Sequence, residues 1–134
     1  MLVLKMIGIW LLMVLAAILN GSFREFFLNK YMSETISLPL SAVTLSIFIF
    51  LIVNVFIVYF KNKTALTYIK MGLFWVSLTL IFEYSFGFSQ GLTFYEISHV
   101  FNVLDGNLFS LVLLVTFFSA IITALSKGFV VKNT

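Results

Sequence analysis

Two pairs of polar side chains stand one helical turn apart inside otherwise apolar stretches: Asn20 with Arg24, and Thr79 with Glu83. Residues four apart share one face of a helix, so each pair offers hydrogen-bonding and charged groups on a common stripe. A carboxylate and a guanidinium in apolar surroundings have three chemical uses. They pair with each other and fix helix packing, they hold an ion or ligand, or the carboxyl keeps its proton or merely faces outer water. The first is the blandest reading and the second the sharpest. Glu25, beside Arg24, adds a carboxylate at the edge of the same stretch.

A second constellation lies downstream. Glu96 and His99 are one turn apart, Asn102 follows another turn on, and Asp105 is close in sequence. A carboxylate beside an imidazole can move protons, so an interfacial acid–base site is one reading. Solubility of an exposed helix explains the same residues without chemistry. Ser85, Ser89 and Ser98 have no strand–serine–helix elbow around them, so no nucleophile is assigned and the catalytic residues stay unknown. His99 is the only histidine and cysteine is absent, which leaves no multi-histidine or thiolate metal site, no thiol redox centre and no disulfide framework. No cofactor is expected.

The elements that must position these residues are long and apolar. The 134-residue chain is 62% hydrophobic and only 10% charged, against about 25% charged in soluble domains, so water is not its main solvent. Four runs, at about 6–23, 38–60, 71–88 and 108–125, are each long enough to cross a hydrocarbon core of about 30 Å. Backbone polar groups in lipid must be satisfied within the segment, which makes solid runs helices, and their lack of alternation argues against a barrel. Lys5 followed by Ile7–Leu19 also has the form of a secretory signal, with Ala16-Ala17 as a small-residue site. The run continues through Ile18-Leu19, and no soluble domain follows, so a retained first helix is the expectation. The fold class is therefore all-α: a single integral membrane bundle of four transmembrane helices.

Charge sets the orientation. The side holding both termini and the 61–70 connection carries Lys5, Lys61, Lys63, Lys70, Lys127 and Lys132 and no acid. The other side carries two basic residues, Arg24 and Lys30, with Glu25, Glu34, Glu83, Glu96 and Asp105. Basic residues in short loops mark the cytoplasmic face, so both termini are expected there. The same flanking positions explain the net charge of +3 without nucleic acid. Lys61–Leu66 reads as a tight hairpin connection and Asn29–Pro39 as an outer loop, with Pro39 in the first turn of span two. Thr93-x-x-Glu96 has capping-box spacing, and Phe94, Ile97, Phe101 and Leu104 recur at helical intervals. This predicts a short amphipathic outer-face helix over 93–105, lying on the membrane or dipping into it.

If Lys5 and Lys70 mark the inner interface, Asn20 and Glu83 both lie about 20 Å further along their helices. That equal height predicts one cluster of Asn20, Arg24, Thr79 and Glu83 between spans one and three. Asn54, Ser41, Thr44 and Ser46 on span two read as interhelical hydrogen-bonding groups. Trp10, Trp75, Tyr59 and Tyr68 toward one end, and Tyr31, Tyr84 and Tyr95 toward the other, read as interfacial belts.

The segments Asn20-Gly21-Ser22-Phe23-Arg24-Glu25, Phe82-Glu83-Tyr84-Ser85-Phe86-Gly87 and Phe101-Asn102-Val103-Leu104-Asp105-Gly106 resemble the signatures of a group of small, uncharacterised four-span bacterial membrane proteins. The group's pattern is N-G-x-x-R-E, F-E-x-x-F-G and [YF]-N-x-x-x-G, the last followed by R-x-W. Here Asn107 and Phe109 replace that Arg and Trp, so a second outer-face cation is missing. The resemblance implies a bacterial inner-membrane location but no activity. It singles out Asn20, Arg24, Glu25, Glu83, Gly87, Asn102 and Gly106.

Three functional classes follow. An accessory or partner-binding membrane protein, without enzymatic activity, is the leading expectation. A small oligomeric transporter or channel for an ion or solute is the alternative, and an interfacial enzyme using Glu96 and His99 is third. Partners are expected among membrane lipids, a second copy of the chain or another membrane protein.

Overall fold

The computed structural model describes residues 2–98 and 108–131. Four helices in it are long and apolar enough to cross a membrane. The first, α1 (Leu2–Phe23), runs on through a π-helical turn (Arg24–Leu28) and a last helical turn (Asn29–Tyr31). Phe23, Phe27 and Tyr31 stack along one face of this extension, with ring centroids 4.9 and 5.2 Å apart. The helix thus outlasts the apolar run, passing through Asn20-Gly21-Ser22 and Asn29 before it stops at Met32.

The expected outer loop at 29–39 is correspondingly short. Ser33 caps α2 (Glu34–Phe56) with an extended backbone, and only Met32 and Ser33 separate the two helices. The Ser37 hydroxyl donates to Oδ1 of Asn29 across this corner. Pro39 is thus the sixth residue of α2 rather than part of its first turn, and removes one hydrogen bond to the Thr35 carbonyl. The end of α2 tightens into a 3-10 turn, Ile57–Phe60.

The third long helix, α3 (Ala65–Ser89), starts six residues before the expected span because Thr64 caps it, accepting from the Thr67 N–H at 3.3 Å. It stops at Gly91, whose φ of +82° reverses the chain while the Leu92 N–H returns to the Gly87 carbonyl at 3.0 Å. A short helix, α4 (Phe94–Ser98), folds back onto that end. Its Ile97 occupies the space a side chain at Gly87 would fill. The Tyr84 ring stacks on Phe94 at 5.2 Å, and its hydroxyl meets Ser98 Oγ at 2.8 Å. The expected helix over 93–105 is described only as far as Ser98, and the remainder lies outside the described residues.

The fourth long helix, α5 (Phe109–Ser126), ends at Gly128, with φ +71°. It packs against both α2 and α3, and α1 packs mainly against α2. Small residues let α5 approach closely: Ser119, Ala120, Thr123 and Ala124 are all buried. Two indoles tie α1 to α3. Trp10 Nε1 donates to Thr79 Oγ1, and Trp75 Nε1 donates to the Met6 carbonyl, both at 3.0 Å. Each contact joins residues 69 apart, so the two helices run parallel in a fixed register.

The end carrying the chain termini is the tightly packed one. Ile57, Phe60, Tyr68, Met71 and Trp75 are at most 1% exposed. The Tyr68 hydroxyl donates to the Phe60 carbonyl and accepts from the Lys63 N–H at 3.3 Å. Next to it, β1 (Lys63–Thr64) pairs in parallel with β2 (Val130–Val131), and Lys127 Nζ donates to the Asn54 carbonyl at 2.7 Å. Tyr68 and Trp75 are therefore core hydrogen-bonding residues and not members of an interfacial belt. Their place toward one end of the spans suggested a belt, and their complete burial decides against it.

Candidate functional site

The opposite half of the molecule is hollow. A cavity of about 500 Å³ lies between α1 and α3 and is walled by all four long helices. From α1 come Trp10, Met13, Val14, Ala17 and Ile18, with Arg24 from the π turn that follows. Leu45 and Ile49 of α2 and Phe109, Val112 and Thr116 of α5 form the back. Thr79, Phe82, Glu83 and Phe86 of α3 complete it. Ile18, Phe82 and Phe86 are all exposed, so the cavity opens sideways between α1 and α3. Its existence follows from packing. Because α5 closes tightly on both α2 and α3, α1 and α3 touch over a shorter stretch, chiefly through the two tryptophans.

The floor is the Trp10–Thr79 hydrogen bond. Thr79 also donates its hydroxyl proton to the Trp75 carbonyl at 2.8 Å, so its donor is used. Thr116 likewise donates to the Val112 carbonyl at 2.8 Å. Below the floor lie Met6, Trp75 and Met71, all buried.

Arg24, Thr79 and Glu83 share this cavity, but Arg24 and Glu83 form no ion pair. The register explains why. Sequence placed Lys5 level with Lys70, an offset of 65, whereas the indole contacts set it at 69. Glu83 is then level with Val14 (83 − 69 = 14). It sits about 9 Å below Asn20 and about 15 Å below Arg24 along the helix axis, at 1.5 Å per residue. The expected equal height of Asn20 and Glu83 is not found.

Asn20 faces span two, where its Oδ1 accepts from the Ser41 hydroxyl. Thr44 and Ser46 donate to carbonyls of their own helix, Leu40 and Ala42, both at 2.8 Å, rather than across helices. Glu25 is exposed on the π turn and does not line the cavity. His99 and Asn102 lie outside the described residues, as do Asp105 and Gly106. Among the described residues, no three His, Cys, Asp or Glu side chains converge as metal ligands would. The site residues that motif reading passed over are the apolar walls and the two indoles. Trp10 and Thr79, 69 residues apart, carry no local signal of their contact.

Glu96 has a structural occupation. Its carboxylate accepts from the Thr93 N–H at 3.0 Å, and its own N–H donates to Thr93 Oγ1 at 3.2 Å, a complete capping box. The Thr93 N–H, and after it the Thr93 hydroxyl, hold the Glu96 carboxyl below the usual carboxylate range. A depressed carboxyl stabilises the folded form above its unfolded value and loses that contribution as pH falls through the folded one. The Thr93 amide resonance is therefore expected to titrate with a midpoint below about 4.3, the unperturbed value for Glu. The same titration should lower the protection of α4 amides from exchange. A midpoint at or above the unperturbed value contradicts the capping box.

Comparison of the chain with protein-family models, with characterised proteins and with solved structures finds no match.

Proposed function

We propose that this is a four-span bundle of the bacterial inner membrane, with both termini in the cytoplasm, that works by binding a membrane-soluble partner rather than by catalysis. The positive-inside distribution of lysines supports the orientation, and the motif resemblance supports the bacterial location. On this reading α4 lies at the outer face. The observation that carries the binding role is the lateral cavity, with two opposite charges that are not used on each other. Its volume falls within the range of ligand pockets, about 300–1,000 Å³, and its walls are mostly apolar, as such pockets are.

Transport is the second reading. Glu83 lines a cavity in one half of the molecule, and Met6, Met71 and Trp75 are buried beneath Trp10 and Thr79. The binding role therefore leads.

Filling the cavity tests it. Ala17 lines the wall and is half-buried. Ala17→Phe is expected to fold but to lose the rise in melting temperature that bilayer lipid confers on the detergent-purified wild type. An equal rise in both proteins would refute a ligand-holding cavity.

Glu83→Gln separates binding from a structural ion pair. Because the carboxylate has no cationic partner among the described residues, removing its charge is expected to leave the melting temperature of the lipid-free protein unchanged or slightly higher. A structural pair would instead lose about 3–5 kcal/mol when one member is removed. A large drop, restored by exchanging the residues at 24 and 83, would establish the structural role.

A further inference from the structure

The charges in the cavity constrain its occupant. Arg24 and Glu83 stand at different heights in one largely apolar space, neither has an ion-pair partner among the described residues, and each is costly to leave unpaired. A singly charged ligand satisfies one of them and leaves the other. A ligand carrying an anion and a cation a short distance apart satisfies both.

We propose that the occupant is a zwitterionic phospholipid with a primary ammonium, drawn from the surrounding bilayer. Its phosphate sits on Arg24 and its ammonium reaches down to Glu83. This rests on the membrane-spanning, cavity-binding reading above and names the ligand for that site.

Four observations converge on this chemistry. Arg24 follows α1 at the end where a bilayer's phosphates would lie, and a guanidinium takes phosphate oxygens in a bidentate fork. Glu83 is about 15 Å lower along the helix axis, too far for a direct bond but within the combined reach of two side chains and a headgroup. The rest of the deep end offers little competition. The Thr79 hydroxyl and Trp10 N–H are committed to each other, and the Thr116 proton to its own helix. Among the described residues that line the cavity, Glu83 is thus the one charged acceptor for a buried ammonium. Finally, Ile18, Phe82 and Phe86 line an exposed mouth below Arg24, where chains attached to the phosphate can leave sideways into lipid. A trimethylated ammonium has no N–H to give the carboxylate, and an anionic lipid has no cation at all, so both fit less well.

Native mass spectrometry of the detergent-purified full chain tests the assignment, with dioleoyl phosphatidylethanolamine, phosphatidylglycerol and phosphatidylcholine as probes at equal concentration. The wild type is expected to retain the ethanolamine lipid about tenfold better than either of the others, the effect of one charge-assisted hydrogen bond. Glu83→Gln should erase that preference, and Arg24→Gln should weaken all three lipids together, since each carries the phosphate. Phosphatidylglycerol or phosphatidylcholine retained as well as phosphatidylethanolamine by the wild type overturns the assignment, whether or not the variants fold. So does a preference that survives in folded Glu83→Gln. Ala17→Phe distinguishes the two levels of failure. If it retains every lipid as the wild type does, the cavity is not the binding site. If it loses lipid while the wild type shows no preference, the cavity binds lipid but the headgroup assignment is wrong.

Discussion

Gly72→Ala is expected to destabilise the protein by about 3 kcal/mol, the upper part of the usual range for overpacking a core. Alanine normally favours a helix over glycine by about 1 kcal/mol, so the sign itself is diagnostic. The Cβ would sit 1.9 Å from the Phe117 carbonyl oxygen, 2.8 Å from its carbon and 3.1 Å from Cα. These are backbone atoms of α5 and cannot rotate away. The two helices would have to separate, and α5 is the element that packs against both α2 and α3. Gly8→Ala is the matched control, because nothing lies within 4 Å of the added atom. It is expected to be neutral or mildly stabilising. Thermal or denaturant unfolding followed by circular dichroism in one detergent reads both variants. Equal midpoints for Gly72→Ala and wild type would contradict the close α3–α5 crossing.

Trp75→Ala is expected to be at least as damaging, at about 3–5 kcal/mol for truncating a buried large side chain. Trp75 is 0% exposed and its indole is one of the two links that set the α1–α3 register. Trp75→Phe keeps most of the volume and loses the bond to Met6, which is worth about 1 kcal/mol. Met6 O retains its place in the α1 hydrogen-bonding ladder, so the loss leaves no orphaned carbonyl. The comparison therefore divides packing from hydrogen bonding. The chain has two tryptophans, so emission from either variant reports on Trp10 alone. Truncation deepens the cavity beneath the floor, and a red shift is expected for Trp75→Ala but not for Trp75→Phe. A Trp75→Phe variant as unstable as Trp75→Ala would assign the damage to the hydrogen bond instead of the packed ring.

The candidate site was partly legible. Arg24, Thr79 and Glu83 are conspicuous as polar residues in apolar stretches, and helical spacing put each on a definite face. Their relative heights were misjudged because lysines are long and exposed, and mark an interface loosely. Lys5 and Lys70 are both exposed, yet they differ by four residues from level once the tryptophans lock the helices. Four residues is about 6 Å, enough to turn a predicted ion pair into two separate charges. The capping box at Thr93 and Glu96 shows the opposite case. It was readable because every atom it needs lies within four residues.

Residue type and order alone determined four long apolar helices. The physical reason is that transfer from water and backbone satisfaction are properties of a segment, whatever its neighbours. Tertiary structure decided which helices close on one another. Gly72 and the small residues of α5 draw α2, α3 and α5 together, and two indole bonds fix how far α1 slides along α3. The hollow holding Arg24 and Glu83 is what remains between helices that pack closely at one end and only partly at the other. That depends on contacts between residues nearly seventy positions apart, which no local pattern encodes.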